Sequence, residues 1–175
     1  MDGSDLYDPA TELPGPALFR DRLDVAVKRA QRTHEPVALV RVGIDSVEPE
    51  RGGRYDVPPD AVAVEIARRL TGTVRAHDSV ARLGPSTFAV LASGELDAET
   101  IRALAGRLLF DLSPPIVLAT GRGYPEASFV TASVGAALFS AHDMISDLAA
   151  QATAALEIAR AEGRVVILDN TGQEL

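Results

Sequence analysis

Two short apolar runs flank a turn in the stretch DSVARLGPSTFAVL, residues 78–91. Valine and phenylalanine favour strands, and the Gly84-Pro85-Ser86 segment between the two runs is typical of a tight turn. The stretch therefore predicts a β-hairpin, and the segments on either side of it show which elements would surround that hairpin.

Helical and strand patterns alternate outward from this hairpin. The predicted elements are a helix at 16–32, a strand at 37–44, a loop at 46–59, a helix at 60–76, the hairpin strands at 80–83 and 87–91, a helix capped by Asp97 that ends near 112, strands at 116–119 and 129–138, a helix at 145–161 and a strand at 165–168. The interleaved order predicts an α/β (α+β) fold, in which a central mixed, mostly antiparallel sheet has helices on both faces.

Length and composition are those of one globular domain. The chain has 175 residues, of which 46% are hydrophobic and 24% charged, as in ordinary water-soluble proteins. We expect a lead at 1–7, one domain at 8–169 and a tail at 170–175.

No cysteine is present, which excludes disulfides and thiolate metal sites. No signal peptide or long apolar run stands out, so we expect a cytoplasmic chain without a membrane span.

The charge balance restricts the partners that this chain can bind. Seventeen basic and 25 acidic residues give a net charge of −8, aromatic residues make up 5%, and tryptophan is absent. An acidic surface with few aromatic side chains argues against binding to DNA, which needs basic patches and stacking platforms. A small anionic ligand remains compatible with this chain where arginines cluster.

Five short motifs follow one another along the chain in a characteristic order. They are DPATELP at 8–14, DSVARLG at 78–84, GPSTF at 84–88, VTASVG at 130–135 and the segment from AL to GR at 155–164. Together they resemble the GGDEF domain, the fold of diguanylate cyclases, over nearly the whole chain. The resemblance implies a nucleotide cyclase-like fold and a place in cyclic di-GMP signalling.

Most residues of that family's signature are replaced in this chain. The resemblance implies one metal-binding carboxylate at the third signature position, which is Ser86, and an acidic residue at the fourth, which is Thr87. A second metal carboxylate would stand at Gly43. We expect Asp45 to point away from Gly43 and not to replace it. Because Mg²⁺ prefers carboxylate and phosphate oxygens, we expect no tightly bound Mg²⁺, no other cofactor, no metal site and no catalytic residue.

Parts of the family's GTP pocket are still recognisable. The resemblance assigns nucleotide contacts to Asp60, Gly84, Arg160 and Arg164. Arg51 stands where the family reads guanine with an asparagine, and Pro85 stiffens the turn, so GTP should bind weakly or not at all. A purely structural role remains open for each charged residue: Asp60 as a helix N-cap, and the two arginines as cations at a helix C-terminus.

A second family site is better preserved. Arg75-Ala76-His77-Asp78 matches the R-x-x-D motif at which the product cyclic di-GMP binds and inhibits many members, and Arg107 matches an arginine that closes that site. A guanidinium can grip a phosphate or the Hoogsteen edge of guanine with two hydrogen bonds. The structural alternative is an Arg75–Asp78 ion pair at a helix end.

Three functions follow from these patterns. The first is a catalytically inactive regulatory module that binds cyclic di-GMP at Arg75, Asp78 and Arg107. The second is a diguanylate cyclase with altered metal ligands, and the third is an interaction scaffold that binds no nucleotide. The missing carboxylates at Gly43 and Ser86 favour the first over the second. Whether the chain acts as a homodimer or with a separate signalling domain stays open.

Overall fold

The computed structural model describes residues 6–119, 125–139, 148–169 and 171–175. Its elements are α1 (Pro16–Thr33), β1 (Val37–Pro49), α2 (Asp60–Thr73), β2 (Ser79–Gly84), β3 (Thr87–Ser93), α3 (Ala98–Leu112), β4 (Ile116–Ala119), β5 (Pro125–Phe139), α4 (Leu148–Glu162) and β6 (Val166–Leu168). Their order and type confirm the sequence prediction. None of the helices in the described ranges is both long and apolar enough to cross a membrane.

Strand β1 lies at the centre of a six-stranded sheet with the order β2-β3-β1-β5-β4. It pairs antiparallel with β3 on one side and with β5 on the other. The long β5 also pairs antiparallel with β4 near its start and parallel with β6 near its end. The sheet is therefore mixed and mostly antiparallel, as predicted, and the β2–β3 hairpin borders β1.

Among the described residues, three boundaries differ from the sequence prediction by three residues or more. Strand β1 continues to Pro49, because β5 pairs with it as far as Ser128 after a register shift between Ile44 and Ser46; the predicted loop therefore starts later than expected. Strand β5 begins at 125 rather than 129, and α2 ends at 73 rather than 76. The sequence also predicts a turn at 121–125 between two strands, and residues 121–124 of it lie outside the described residues, as do the first three residues of the helix predicted at 145–161.

The helices cover the two faces of the sheet in pairs. Ala38, Val40 and Val42 of β1 pack with apolar residues of α2 and α3 in one buried cluster. Val37 and Leu39 belong to a second cluster with residues of α1 and α4. This alternation is what the twofold period of a strand dictates, and it confirms the prediction of helices on both faces.

Both ends of the described chain pair with the body of the fold. Tyr7 forms a β-bridge with Pro14, and Leu168 forms one with Glu174. The division into a lead at 1–7, a domain at 8–169 and a tail at 170–175 stays a proposal.

Helix α4 makes an unusually close contact with the sheet at Gly135. A Cβ atom at this position would meet the backbone of α4, with the Cα of Leu156 at 2.5 Å and the backbone atoms of Ala155 and Leu156 closer still. Glycine is needed here because any side chain would push the helix away from β5. The contact sets the height of α4 above the sheet and thereby the position of Arg160, four residues beyond Leu156.

We predict that Gly135→Ala destabilises the fold strongly. The added methyl group meets helix backbone, which cannot rotate away as a side chain can, so we expect a loss of at least about 3 kcal/mol in unfolding free energy. Urea denaturation followed by circular dichroism would measure it. Gly106→Ala is the matched control, since a Cβ at this helical position meets nothing within 4 Å and should stabilise α3 by about 0.5–1 kcal/mol. Equal stabilities of the two variants would contradict the prediction.

Candidate functional site

The turn of the β2–β3 hairpin lies directly beside β1. The backbone N–H of Ile44 donates to the carbonyl of Ser86 at 2.8 Å, and Gly43 pairs with Thr87 across the ladder. The Ser86 hydroxyl donates to the carbonyl of Asp56 at 2.9 Å. The two positions for which a metal carboxylate is implied, 43 and 86, therefore come together as expected, but neither has a carboxylate.

Arg160 of α4 covers Gly43. A Cβ at Gly43 would lie 2.9 Å from Cζ of Arg160 and closer to its Nη2. The Nε of Arg160 donates to Oδ1 of Asp45 at 3.0 Å, while the other carboxylate oxygen accepts from the Ser133 hydroxyl at 2.7 Å. The expectation that Asp45 points away from Gly43 is wrong, because side chains two residues apart in a strand share a face.

The side chains at this point do not fit a divalent cation. Mg²⁺ needs several hard oxygen ligands, but Gly43 offers no side chain, the Ser86 hydroxyl is bonded to a carbonyl, and the Asp45 carboxylate is bound to a guanidinium. Within the described ranges, no three His, Asp or Glu residues form a group that could hold a metal ion. The positive charge at this place belongs to Arg160.

Two of the four predicted nucleotide contacts share a groove. Asp60 and Gly84 line a groove of about 590 Å³ together with Tyr7, Pro58 and Pro85. Asp60 is the first residue of α2, and the N-cap is Pro59, which makes no side-chain cap bond. The N-cap alternative for Asp60 is therefore wrong, and its exposed carboxylate lies at the positive end of the helix dipole.

The other two predicted contacts lie elsewhere. Arg160 contacts Asp45 and Glu157, and neither Arg160 nor Arg164 is among the residues that line the groove in the described part of the chain. Arg164 binds Glu162 at 2.6 Å and both carboxylate oxygens of Glu174. The Glu174 carboxylate raises the pKa of Arg164. The remnant pocket is thus divided between separate places, and its arginines are engaged by acidic neighbours.

The three residues of the predicted cyclic di-GMP site come together. Arg75, Asp78 and Arg107 line one indentation of about 20 Å³, with Thr100 and Leu104 between them. Asp78 Oδ2 accepts from the backbone N–H of Arg75 at 3.0 Å, so the carboxylate closes the turn after α2. The predicted alternative was a side-chain pair of Arg75 with Asp78, and no such ion pair occurs among the described residues.

Asp78 is the most constrained member of this group. Its side chain is only 4% exposed, and its Oδ1 has no hydrogen-bond partner in the described structure. Nε2 of His77 lies 3.7 Å from Oδ1, beyond hydrogen-bond distance. A buried acceptor without a donor costs free energy, and a ligand that brings an N–H group would remove this cost.

A larger groove of about 590 Å³ lies on the other side of Asp78, between α1 and β2. Arg22 and Arg29 line it, and Nη1 of Arg22 donates to the Ser79 hydroxyl at 2.7 Å. Sequence reasoning missed these two arginines. Their spacing of seven residues places them on one helix face, which was a usable signal, but only the fold shows that this face borders Asp78.

An ion pair joins the start of the domain to the hairpin. Arg82, 8% exposed, binds Asp8 at 3.1 Å and donates to the carbonyl of Pro85 at 3.1 Å. Burial raises the pKa of Asp8, but hydrogen bonds from Thr11 and Arg82 outweigh this effect and leave the pKa below its ordinary value. The pair fixes the hairpin against the N-terminal segment without any nucleotide.

Comparisons with known proteins bear on the family to which the chain belongs. The family model described as diguanylate cyclase, GGDEF domain, matches residues 5–165. The diguanylate cyclase TpbB of Pseudomonas aeruginosa is 30% identical over 159 residues, which are 90% of this chain and 36% of that protein. The chain therefore spans about a third of the length of this curated relative.

Solved structures show the same architecture. The GGDEF domain of TpbB from Pseudomonas aeruginosa matches with a TM-score of 0.73 at 28% identity, over 94% of each chain. The GGDEF domain of DgcB from Caulobacter crescentus, solved in complex with c-di-GMP, matches with a TM-score of 0.76 at 20% identity, over 98% of each chain. At 20% identity, the likeness to the DgcB domain supports a shared fold and nothing further.

We predict that Asp8→Asn lowers the unfolding free energy by about 1–3 kcal/mol near neutral pH, because Arg82 loses its charged partner. The folded-state pKa of Asp8 is depressed, so its contribution is complete above the pKa of the unfolded chain and is lost as the pH falls through the folded value.

Urea denaturation at about pH 7 and about pH 2.5 would test this, since the deficit of the variant relative to the wild type should be smaller at the acidic pH. Asp24→Asn, which removes an exposed carboxylate of α1, should change stability little at either pH. A deficit for Asp8→Asn that stays constant with pH would contradict the ionic explanation.

Proposed function

The chain belongs to the GGDEF domain family of diguanylate cyclases, and we propose that it is a catalytically inactive member that binds cyclic di-GMP and acts as a regulatory module. The observation that supports binding is the Asp78 carboxylate. It is almost fully buried, has one unpartnered oxygen, and lies between the arginines of two cavities.

The loss of catalysis is inferred from the charges beside the hairpin. Condensing two GTP molecules joins a 3′-hydroxyl to an α-phosphate, and catalysis of phosphoryl transfer rests on positioning and on metal-ion charge stabilisation. Gly43 and Ser86 supply no carboxylate, and Arg160 binds two acidic side chains nearby, Asp45 and Glu157. The proposed domain therefore has no catalytic residue, binds no metal cofactor tightly, and binds GTP weakly or not at all.

Recognition of cyclic di-GMP follows from the chemistry of the ligand. It presents two phosphates and two guanine bases. The guanidiniums of Arg75 and Arg107 match a phosphate oxygen pair or the Hoogsteen edge of guanine. The Asp78 carboxylate matches the N1–H and N2–H₂ donors of a guanine, and such a pairing would satisfy its free oxygen.

The size of the two cavities indicates where the ligand would lie. The indentation of about 20 Å³ beside Arg75 and Arg107 is far below the range of about 300–1,000 Å³ that is typical of ligand pockets. The groove of about 590 Å³ beside Arg22 and Arg29 falls within that range. We propose that a ligand uses both sides of Asp78, with a base in the groove and phosphate contacts from Arg75 and Arg107.

The proposal also covers the partner that receives the signal and the cellular compartment of the module. A chain that spans about a third of its curated relative acts as one module, and we propose that the response to the ligand passes to a second copy of the chain or to a separate signalling domain. We place this module in the cytoplasm, where guanine nucleotides are made. No role with DNA is proposed, because the net charge of −8 opposes a long contact with phosphates.

We predict that the purified chain makes no cyclic di-GMP from GTP with Mg²⁺ or Mn²⁺. The physical reason is the lack of a carboxylate at Gly43 and Ser86, which leaves the developing phosphate charge without a metal ion. Product should be measured by chromatography on protein from a host that lacks its own cyclases. Product formation that scales with the amount of this chain would overturn the inactive assignment and favour the cyclase with altered ligands.

We predict that Arg75→Ala weakens cyclic di-GMP binding about tenfold or more, because one charge-assisted hydrogen bond contributes about 1.5–3 kcal/mol. Calorimetric titration at low and high salt would measure this, and salt should weaken binding to the wild type. Arg68→Ala is the matched control, since Arg68 is exposed, pairs with Glu65 and lines neither cavity in the described structure.

Each outcome of this titration has a definite meaning. Loss of affinity in Arg75→Ala and in Arg107→Ala, with Arg68→Ala unchanged, supports the proposed site. Equal losses in all three variants indicate a nonspecific charge effect and overturn it. No heat with the wild type at about 100 μM protein, a concentration that detects micromolar binding, leaves the nucleotide-free scaffold as the function.

A further inference from the structure

Gly43 is a glycine inside a central, buried strand, where glycine has no side chain to pack and weakens the strand. Both neighbours across the ladders, Thr87 and Ser133, have side chains. A glycine in such a place often marks the close approach of another group. The group that approaches here is the guanidinium of Arg160, whose Cζ lies 2.9 Å from the place of a Cβ at Gly43.

The Arg160 guanidinium is held by two carboxylates. Its Nε donates to Asp45 Oδ1 at 3.0 Å, and its Nη1 donates to Glu157 Oε1 at 3.0 Å. Ser133 fixes the second oxygen of Asp45 at 2.7 Å. The Arg160 side chain is 33% exposed, so the ion pair is screened less than one at the open surface.

We infer that the Arg160 guanidinium is the resident cation of this site, and that Gly43 and Arg160 form a matched pair. The guanidinium fills the space that a side chain at Gly43 would need, and it binds the carboxylate of Asp45, which lies on the same face of β1 as Gly43. This deepens the part of the proposed function that concerns the loss of catalysis, in which ligands for a metal are missing and Arg160 binds Asp45. Here the site is closed by a cation of the chain itself.

Two physical consequences follow. A divalent cation that approached Asp45 would meet the fixed positive charge of Arg160, and like charges at this distance repel. A carboxylate restored at Gly43 would come within reach of the same guanidinium and would pair with it rather than with a metal. Restoring metal binding therefore requires the removal of Arg160 as well as the return of a carboxylate.

Mn²⁺ binding, followed by the electron paramagnetic resonance signal of the free ion, tests the resident-cation role. The proteins are the wild type, Gly43→Asp, and Gly43→Asp combined with Arg160→Ala. We expect the wild type and Gly43→Asp to bind Mn²⁺ weakly, and the double variant to bind it at least about tenfold more tightly than Gly43→Asp. The matched control combines Gly43→Asp with Arg164→Ala, which removes the same charge from the end of α4 but leaves Arg160 over the site.

A thermal double-mutant cycle tests the matched pair without any metal. With Arg160 present, Gly43→Ala displaces the guanidinium from Asp45, and the melting temperature should fall by about 2–4 °C. In the Arg160→Ala background the three atoms nearest to the added methyl group are removed, so the same substitution should leave the melting temperature unchanged or raise it, since alanine suits a strand better than glycine. Equal shifts in the two backgrounds would refute the pairing.

The outcomes separate this inference from the proposed function. Mn²⁺ affinities that are equal in Gly43→Asp and in its Arg160→Ala combination overturn the resident cation but leave the inactive assignment standing. Equal gains in Mn²⁺ affinity when Arg160→Ala or Arg164→Ala is added to Gly43→Asp would show an effect of net charge alone. This result would also overturn the resident-cation role of Arg160. Tight Mn²⁺ binding by the wild type together with cyclic di-GMP synthesis would overturn both.

Discussion

The contact between α4 and β5 at Gly135 is the packing constraint on which the hairpin side of the molecule depends. Because no side chain intervenes, the helix backbone lies against the strand at Ala155 and Leu156. One turn further, Arg160 reaches the neighbouring strand β1 at Gly43. Gly135 and Gly43 lie on one face of the sheet. Gly135 leaves room for the backbone of α4, and Gly43 leaves room for the side chain of Arg160 from the same helix.

The interactions that hold the hairpin in the fold are different from the carboxylates that catalysis would need. The hairpin is held by its ladder to β1, by the Ile44–Ser86 backbone bond and by the Asp8–Arg82 ion pair. None of these interactions needs a carboxylate in the turn. The fold of a cyclase can therefore persist in a chain whose turn has serine and threonine in place of acidic residues, because backbone pairing and packing are indifferent to that exchange.

The second site has a different physical basis. Asp78 is placed by the turn after α2, and its carboxylate is fixed by the backbone N–H of Arg75. Arg107 arrives from α3, and Arg22 and Arg29 arrive from α1. The site therefore gathers four arginines from α1, from α3 and from the turn after α2 around the buried carboxylate of Asp78. The acidic Asp21 and Glu35 also line the groove beside α1, and Glu35 pairs with Arg29. In a chain with a net charge of −8, such a cluster is the place where an anionic ligand would be attracted.

The sequence by itself determined the order and type of the elements, the hairpin, the Asp97 cap and the absence of carboxylates at 43 and 86, because these depend on local periodicity and on residue identity. It also selected Arg75, Asp78 and Arg107, which the fold brings together. The shared face of Gly43 and Asp45 also follows from the twofold period of a strand. Only the tertiary structure decided that β1 continues to Pro49 and that Arg160 covers Gly43 and Asp45. The end of β1 depends on pairing with β5, and the position of Arg160 depends on a contact between residues 115 positions apart. These contacts join segments that meet only after folding, and no local sequence pattern encodes them.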